Sequence, residues 1–284
     1  MKIQQGRTRG GVAYTVRGSG PPLLWMSGYA VPVAAFDRVL DDFARTFTVV
    51  AVDHRGSGES WTRPLPTTTG TMACDAVSVL DRLGIASAQV VGASLGGMVA
   101  QEIAIAHPNR VRSLVLCSTT AGGSGAKTPP LRDLQKELNQ TARRVPGPRF
   151  RIRWLGALHQ AAAAASHDAT GRLRKIQAPT LVLHGDQDEL VPLANATWLA
   201  ARIPDGRLRV VPNGTHLLVL ESAAARNVLH LWLEEHAELT PDVARPSGLL
   251  RLAGAPIRVL RGHTLPVRRA VRAARRHLDR GSSS

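Results

Sequence analysis

The first 120 residues alternate between short apolar runs and segments whose apolar residues recur at helical spacing. The apolar runs lie at residues 23–28, 48–53, 89–94 and 111–118, and the segments with helical spacing lie between them at 33–45, 76–83 and 96–107. Such runs are typical of strands buried on both faces, and their alternation with helices favours parallel pairing. The chain is therefore predicted to be an α/β protein with a mostly parallel sheet and helices on both faces.

This alternation stops after residue 120 and resumes near residue 177. Apolar strands return at residues 180–188 and 208–216, whereas the segment between 121 and 176 has no buried-strand pattern. A long insertion between the strands of a compact domain is usually functional, for example as a lid. The predicted organisation is a core of residues 1–120 and 177–237, a lid or cap at 121–176 and a basic extension at 238–284.

Three further patterns predict a closing helix and buried side chains. A closing helix is marked by apolar residues at helical spacing, namely Ala224, Val228, Leu231 and Trp232. Trp25 lies in an apolar run and is expected in the core. Cys74 and Cys117 form no C-x-x-C pair, and the N-terminal residues do not resemble a secretory signal. We therefore expect both cysteines to be buried, small apolar side chains, and the protein to be cytoplasmic.

The segment VVGASLGGMVA places Ser94 between an apolar run and a predicted helix. Its flanking residues Gly92 and Gly96 complete the pattern G-x-S-x-G, in which a tight strand-to-helix turn exposes a nucleophilic serine. Glycines are needed because side chains at both positions would collide where the strand turns into the helix. Alone, the pattern also fits an ordinary glycine-rich turn, so the interpretation depends on finding a base and an acid elsewhere.

A candidate acid and a candidate base follow Ser94 in the chain. Asp188 and His216 each come just after an apolar strand, at the edge where open α/β sheets bind their ligands. A serine nucleophile needs a histidine to accept its proton and a carboxylate to orient that histidine. The predicted catalytic residues are Ser94, Asp188 and His216, with Asp186 as the alternative acid.

With these residues, the sequence resembles the α/β-hydrolase fold family over residues 11–236. The segment LVLHGDQDELVP matches the family pattern G-x-x-D-x-x-V-P, which implies Asp188 as the acid. The segment VVPNGTHLLVLE resembles the family segment that contains the catalytic histidine and a downstream glutamate, here His216 and Glu221. The segment VVAVDHRGSGES resembles the loop that follows strand 4 of that fold, with Asp53, Arg55, Gly56, Gly58 and Ser60. The resemblance implies a lid after strand 6 and a serine hydrolase that forms an acyl-enzyme.

The family resemblance also implies where an oxyanion is held. The backbone N–H groups of Tyr29 and Leu95 are the predicted donors. The family usually has a histidine before the glycine of this loop, whereas this chain has Ser27, which we expect near the substrate pocket. Trp154 and His159, from the predicted lid, are the other expected pocket residues, together with Phe150.

The expected substrate is a small or medium carboxylic ester or lactone, because LCSTTAGG and SHDATGRLRKIQAPTLVLHG resemble the esterase and enol-lactonase-like group. Similar scaffolds also support C–C bond hydrolysis, lyase, cyclase and perhydrolysis reactions, and a non-hydrolytic ligand-binding protein is a further alternative. No cofactor is expected. His184, Asp186 and Asp188 do not form a known metal-ligand motif, so no metal site is predicted.

The formal net charge of +15 is concentrated at the C-terminus, where residues 241–284 contain ten arginines and two aspartates. Val267, Ala270, Val271, Ala274 and Leu278 share one helical face there, and arginines occupy the others. An amphipathic helix of this kind can bind an anionic membrane surface or an acidic partner. We favour a solvated extension, because the apolar face consists mainly of alanine and valine. Nucleic-acid binding is not expected, because the sequence contains no recognised nucleic-acid module.

Overall fold

The computed structural model describes residues 3–61, 67–123, 126 and 154–239. The sequence-based predictions that lie outside these residues include Phe150 and the amphipathic segment at 267–278. For Trp154, only the backbone is described. In the described part of the chain, no helix is both long enough and apolar enough to cross a membrane.

One eight-stranded sheet forms the centre of the described structure, with the strand order β1-β2-β4-β3-β5-β6-β7-β8. The strands are β1 (Gln4–Arg7), β2 (Ala13–Arg17), β3 (Pro22–Met26), β4 (Thr48–Val52), β5 (Ala88–Ala93), β6 (Val111–Cys117), β7 (Thr180–Gly185) and β8 (Gly206–Val211). Strand β2 pairs antiparallel with β1 and β4, and all other neighbours are parallel. The predicted mostly parallel α/β sheet is confirmed.

Helices connect the strands on both sides of the sheet. They are α1 (Asp37–Phe43), α2 (Thr69–Arg82), α3 (Leu95–Ala106), α4 (Trp154–Ala165), α5 (Leu193–Arg202), α6 (Leu218–Glu221) and α7 (Ala223–Glu235), with 3₁₀ turns at Val33–Phe36, Pro108–Arg110 and Leu173–Lys175. Helix α2 begins with a capping box, in which the Thr68 side chain and Thr71 exchange hydrogen bonds. It ends just before Gly84, whose positive φ of 69° suits a glycine at that position.

Two apolar layers enclose the sheet because successive strand residues point to opposite faces. One layer joins the sheet to α2, α3 and α5 and includes Leu24, Val50, Val90, Leu114 and Val182. The other joins it to α1 and α7 and includes Leu23, Trp25, Val49, Val91 and Val115. Trp25 is fully buried, as predicted. This packing fixes the carboxyl ends of β3, β5, β6 and β7 at one edge of the sheet.

One burial prediction was wrong in part. Cys117 is buried, but Cys74 is exposed, because it lies on the face of α2 that points away from the sheet. The predicted closing helix is α7, which buries Ala225, Leu229, Trp232 and Leu233 and leaves Leu231 exposed. Alanine and leucine on several faces of α7 make its apolar stripe ambiguous in sequence.

Strand β1 was not predicted from the sequence, because its residues QQGR have neither an apolar run nor alternation. It pairs with β2 at the edge of the sheet, where backbone hydrogen bonds stabilise a strand without a buried side-chain face. In the predicted lid, the described residues include α4 and an isolated antiparallel bridge between Gly122 and Asp168. The domain boundaries of the lid and the basic extension stay predictions.

Candidate active site

Ser94 lies between β5 and α3 in a sharp turn. Its backbone has φ 52° and ψ −117°, a conformation that residues other than glycine rarely adopt. A Cβ on Gly92 would overlap the backbone of Gly96, and a Cβ on Gly96 would lie 2.6 Å from the carbonyl oxygen of Ser27. Both glycines are therefore required for the close packing of strand, turn and helix.

The strained turn at Ser94 is held by its neighbours. The Ser94 N–H donates to the carbonyl oxygen of Cys117 at 2.9 Å, and the Thr119 hydroxyl donates to the Ser94 carbonyl oxygen at 2.7 Å. Backbone strain persists only where the surrounding structure over-determines it, and such sites are concentrated at functional positions.

His216 lies directly against Asp188. The His216 Nδ1 is 2.9 Å from Asp188 Oδ2 and 3.1 Å from Oδ1. Burial raises the pKa of the Asp188 carboxyl, but the hydrogen bond from His216 and the charges around it outweigh this effect, so the pKa lies below its usual value. Asp188 thus remains a carboxylate and holds Nδ1 as the protonated nitrogen, leaving Nε2 free to accept a proton.

The loop after β7 positions the Asp188 carboxylate. The backbone N–H groups of Leu190 and Val191 donate to Asp188 Oδ1 at 3.0 and 2.8 Å. His184 Nε2 donates to the Val191 carbonyl oxygen at 2.7 Å, and burial lowers the pKa of His184. Among the described residues, no group of three or more His, Cys, Asp and Glu side chains is placed to hold a metal ion.

One pocket contains both Ser94 and His216 in its wall. Including its mouth, it has a volume of about 590 Å³. It is lined by Gly28, Tyr29, Val31, Phe36, Ala93, Ser94, Cys117, Ser118, Leu190, His216, Leu217, Val219 and Leu220. The described lining is mainly apolar and contains no arginine or lysine, so an uncharged, apolar group fits it best.

Of the two predicted oxyanion donors, Leu95 directly follows Ser94, and Tyr29 lines the same pocket. Leu95 is the first residue of α3, so its N–H has no acceptor within the helix. Tyr29 lines the pocket, and a Cβ on the preceding Gly28 would lie 3.4 Å from Ser94 Cβ, which shows how closely this loop approaches the serine. Burial raises the pKa of the Tyr29 hydroxyl, which therefore stays protonated.

The side chain of Ser27 does not reach the pocket, contrary to expectation. It is fully buried, and its hydroxyl donates to the Val31 carbonyl oxygen at 2.6 Å. It therefore closes the turn that contains Tyr29. The Ser27 carbonyl oxygen accepts a hydrogen bond from His54 Nε2 at 3.1 Å, so Ser27 shapes the loop without lining the site.

His159 is also absent from the described pocket wall, where it was expected. It is half-buried on α4, and its Nδ1 has no hydrogen-bond partner among the described residues. The neighbouring Gln160 instead reaches the loops that contain Ala30 and Arg55. The Trp154 side chain lies outside the described structure, so its predicted pocket contact stays a prediction.

Gln160 was missed by the sequence analysis. It is fully buried, its Oε1 accepts the Ala30 N–H at 2.7 Å, and its Nε2 donates to the Arg55 carbonyl oxygen at 2.7 Å. A Cβ on Gly156 would overlap the backbone of Gly56, so α4 packs tightly on the loop that contains Arg55 and Gly56. A single glutamine in an alanine-rich helix gives no sequence signal of this role.

The loop after β4 is organised by Asp53 and Ser60, as the family resemblance implies. Asp53 accepts the N–H groups of Val33 and Glu59 at 2.7 and 3.0 Å. The Ser60 hydroxyl donates to the Asp53 carbonyl oxygen at 2.6 Å. Arg55 forms an ion pair with Asp75 on α2. Thr215 donates to Glu221 Oε2 at 2.5 Å and so connects the His216 loop to α6.

Comparison with known proteins agrees with this architecture. The family model described as alpha/beta hydrolase fold matches residues 21–161, and that of serine aminopeptidase, S33, matches residues 132–223. The 2-hydroxymuconate semialdehyde hydrolase of Pseudomonas sp. (strain CF600) is 31% identical over 248 residues, which cover 73% of this chain and 84% of that protein. The chain belongs to the α/β-hydrolase fold family.

Two other proteins are similar over 70% or more of this chain. The pimeloyl-[acyl-carrier protein] methyl ester esterase of Chromobacterium violaceum is 29% identical over 232 residues, covering 70% of this chain and 88% of that enzyme. The crystal structure of a hydrolase from Pseudomonas aeruginosa PA01 superimposes with a TM-score of 0.67 at 26% identity, covering 81% of this chain and 98% of that chain.

Proposed function

We propose that this α/β-hydrolase cleaves a small or medium, uncharged carboxylic ester or lactone through an acyl-enzyme on Ser94. The observation that carries this proposal is the position of His216. Its Nδ1 is held by Asp188, and it lines the same pocket as the strained Ser94. A serine, a histidine and a buried carboxylate in this relation form the proton-transfer system of serine hydrolases.

The proposed reaction begins when His216 Nε2 takes the Ser94 hydroxyl proton and Ser94 Oγ attacks the ester carbonyl carbon. The N–H groups of Tyr29 and Leu95 stabilise the resulting oxyanion. His216 then gives its proton to the leaving alcohol, and the acyl group stays on Ser94. A water molecule, deprotonated by His216, attacks the acyl-enzyme, and the departing Ser94 regains its proton as the acid is released.

The described pocket wall supports an uncharged acyl group. Phe36, Leu190 and Val219 are among its apolar residues, and its described part offers no cation for a substrate carboxylate. One similar protein is named a methyl ester esterase. This name, together with a described pocket wall that has no arginine or lysine, leads us to favour the ester and lactone reaction over C–C bond cleavage. A ligand-binding protein is disfavoured, because binding alone does not require His216 to be fixed by Asp188.

Labelling with a fluorophosphonate probe tests the nucleophile. The wild-type protein is expected to react on Ser94, and Ser94→Ala is expected to lose both labelling and turnover of a chromogenic ester and lactone panel. Ser166→Ala is the matched control because it removes an exposed hydroxyl. Absence of labelling in a wild-type protein with an intact circular dichroism spectrum would contradict the proposal, as would labelling retained by Ser94→Ala.

A further inference from the structure

Ser118 lies beside Ser94 at the end of β6. Its N–H donates to the Leu183 carbonyl oxygen at 3.0 Å, and the carbonyl oxygen of the preceding Cys117 accepts the Ser94 N–H at 2.9 Å. Ala93 and Cys117 are register partners in adjacent parallel strands. Because such strands lie about 4.8 Å apart, Ser94 and Ser118, which follow these two partners, lie side by side at the edge of the sheet and line one pocket.

The backbone of Ser118 is strained. Its φ is 46°, in the left-handed region that glycine and asparagine adopt more readily than serine. Glycine would remove this strain but would also remove the hydroxyl. A strained residue in the wall of an active-site pocket is a recurring sign of a functional constraint.

The Ser118 hydroxyl makes no hydrogen bond to the described part of the protein. The residue is 2% exposed, and its Oγ has no hydrogen-bond partner among the described residues. It lines the same pocket as Ser94 and His216, whose wall is otherwise mainly apolar. A buried hydroxyl without a partner is costly, so a polar group from a substrate can compensate for this cost upon binding.

We propose that Ser118 determines specificity by hydrogen-bonding a hydroxyl or oxo group on carbon 2 or carbon 3 of the substrate's acyl group. The preferred substrate is then a hydroxyacyl or oxoacyl ester with an otherwise apolar acyl chain, and not a simple alkanoate. This inference rests on the proposed ester hydrolysis at Ser94 and names the class of acyl group that the same pocket accepts.

A comparison of matched esters tests this role. Ethyl butanoate is compared with ethyl 2-hydroxybutanoate, both enantiomers of ethyl 3-hydroxybutanoate, and ethyl 3-oxobutanoate, with kcat/KM measured by pH-stat. The ratio of each substituted ester to ethyl butanoate is determined for the wild type, Ser118→Ala and Ser118→Gly. At least one ratio is expected to fall about 5- to 10-fold in both variants, the effect of one lost hydrogen bond.

Comparing each ratio between a variant and the wild type cancels the intrinsic reactivity of the esters. A control variant separates specificity from packing. Ser113→Ala removes another buried hydroxyl of β6, one that donates to Gln89 Oε1 at 2.8 Å, and is expected to leave every ratio at its wild-type value. Ser118→Gly relieves the backbone strain, so it provides the test if Ser118→Ala does not fold.

The outcomes distinguish this inference from the proposed function. If the wild type hydrolyses ethyl butanoate and the Ser118 variants change all esters in equal proportion, Ser118 is only structural and the inference is overturned while ester hydrolysis stands. If the wild type hydrolyses no ester and does not react with the fluorophosphonate probe, the proposed function fails and this inference fails with it.

Discussion

Gln160 accepts a hydrogen bond from the backbone N–H of Ala30 at 2.7 Å, although the two residues are 130 positions apart in the chain. Ala30 has a positive φ of 53° and directly follows Tyr29, the proposed oxyanion donor. The other end of the Gln160 amide donates to the Arg55 carbonyl oxygen at 2.7 Å. Helix α4 therefore connects two loops of the core and fixes the loop that presents Tyr29.

Replacing Gln160 by leucine is expected to lower kcat more than it changes KM. Leucine leaves the Ala30 N–H and the Arg55 carbonyl oxygen buried without partners, so the Tyr29 N–H shifts from its position. Removing an oxyanion donor outright costs about 10²- to 10³-fold in kcat, and we expect a displaced donor to cost about 10- to 100-fold. Steady-state kinetics on the best ester of the panel provide the measurement.

Two controls accompany the Gln160 variant. Gln160→Glu retains an acceptor for Ala30 and is expected to recover part of the lost kcat, whereas Ser166→Ala, near the end of α4, is expected to behave as the wild type. A Gln160→Leu protein with unchanged kcat and raised KM would instead assign Gln160 to substrate binding.

Replacing Asp188 by asparagine is expected to reduce kcat by about 10³- to 10⁴-fold, the size of the effect when a triad histidine loses its orienting carboxylate. The neutral amide neither fixes the Nδ1–H tautomer of His216 nor stabilises the imidazolium. Asp186→Asn is the decisive comparison, because Asp186 lies on the same loop without contacting His216 in the described structure. Equal losses in the two variants would contradict the assignment of Asp188.

The sequence predicted those parts of the molecule that depend on local pattern. Strands buried on both faces appear as apolar runs, so β3 to β8 and their parallel pairing could be inferred, whereas the order of the strands and the polar edge strand β1 could not. The structure also brings Asp188 and His216, predicted from strand ends and motif order, into contact.

Side-chain direction and long-range contacts could not be predicted. Ser27 has the expected position in the chain, but the turn that contains it directs its hydroxyl to Val31 and away from the pocket. Gln160 acts through residues that are distant in sequence, and the strain at Ser118 depends on hydrogen bonds between adjacent strands. These features arise from tertiary packing, which a single sequence does not encode in a local pattern.

Replacing Gly96 by alanine is expected to destabilise the protein strongly. The added methyl group would lie 2.6 Å from the Ser27 carbonyl oxygen, and this backbone oxygen is held by His54 Nε2. Overpacking in a well-packed interior costs about 1–3 kcal/mol, and contact with fixed backbone belongs at the upper end. Urea denaturation gives the change in free energy of unfolding. Gly171→Ala is the control, since no atom lies within 4 Å of its added Cβ; equal stability of the two variants would contradict the argument.

Two buried histidines predict how stability changes with pH. Burial lowers the pKa of His54 and of His167 from 6.5 to about 4. For His54, the hydrogen bond to Ser27 counteracts part of this effect, and for His167 the neighbouring Glu102 does so. Both side chains are therefore neutral in the folded protein at pH 7, and His167 Nδ1 lies 3.0 Å from the Thr69 hydroxyl oxygen.

The direction of the pH effect follows from proton binding. Below about pH 6.5 the unfolded chain binds protons at these histidines while the folded chain does not, so stability falls as the pH decreases until about pH 4. Each histidine is expected to remove about 3 kcal/mol from the free energy of unfolding across this interval. Urea denaturation at pH 7.5, 6, 5 and 4.5 measures the change.

Removing one buried histidine should flatten this pH dependence. His167→Gln is expected to be less stable than the wild type at pH 7.5, because it disturbs the contact with Thr69, but to lose less stability between pH 7.5 and 4.5. The control His107→Gln, at a partly exposed position, is expected to keep the wild-type slope. If His167→Gln shows the same slope as the wild type, protonation of His167 does not contribute to acid unfolding, and the pKa of His167 is not lowered by burial.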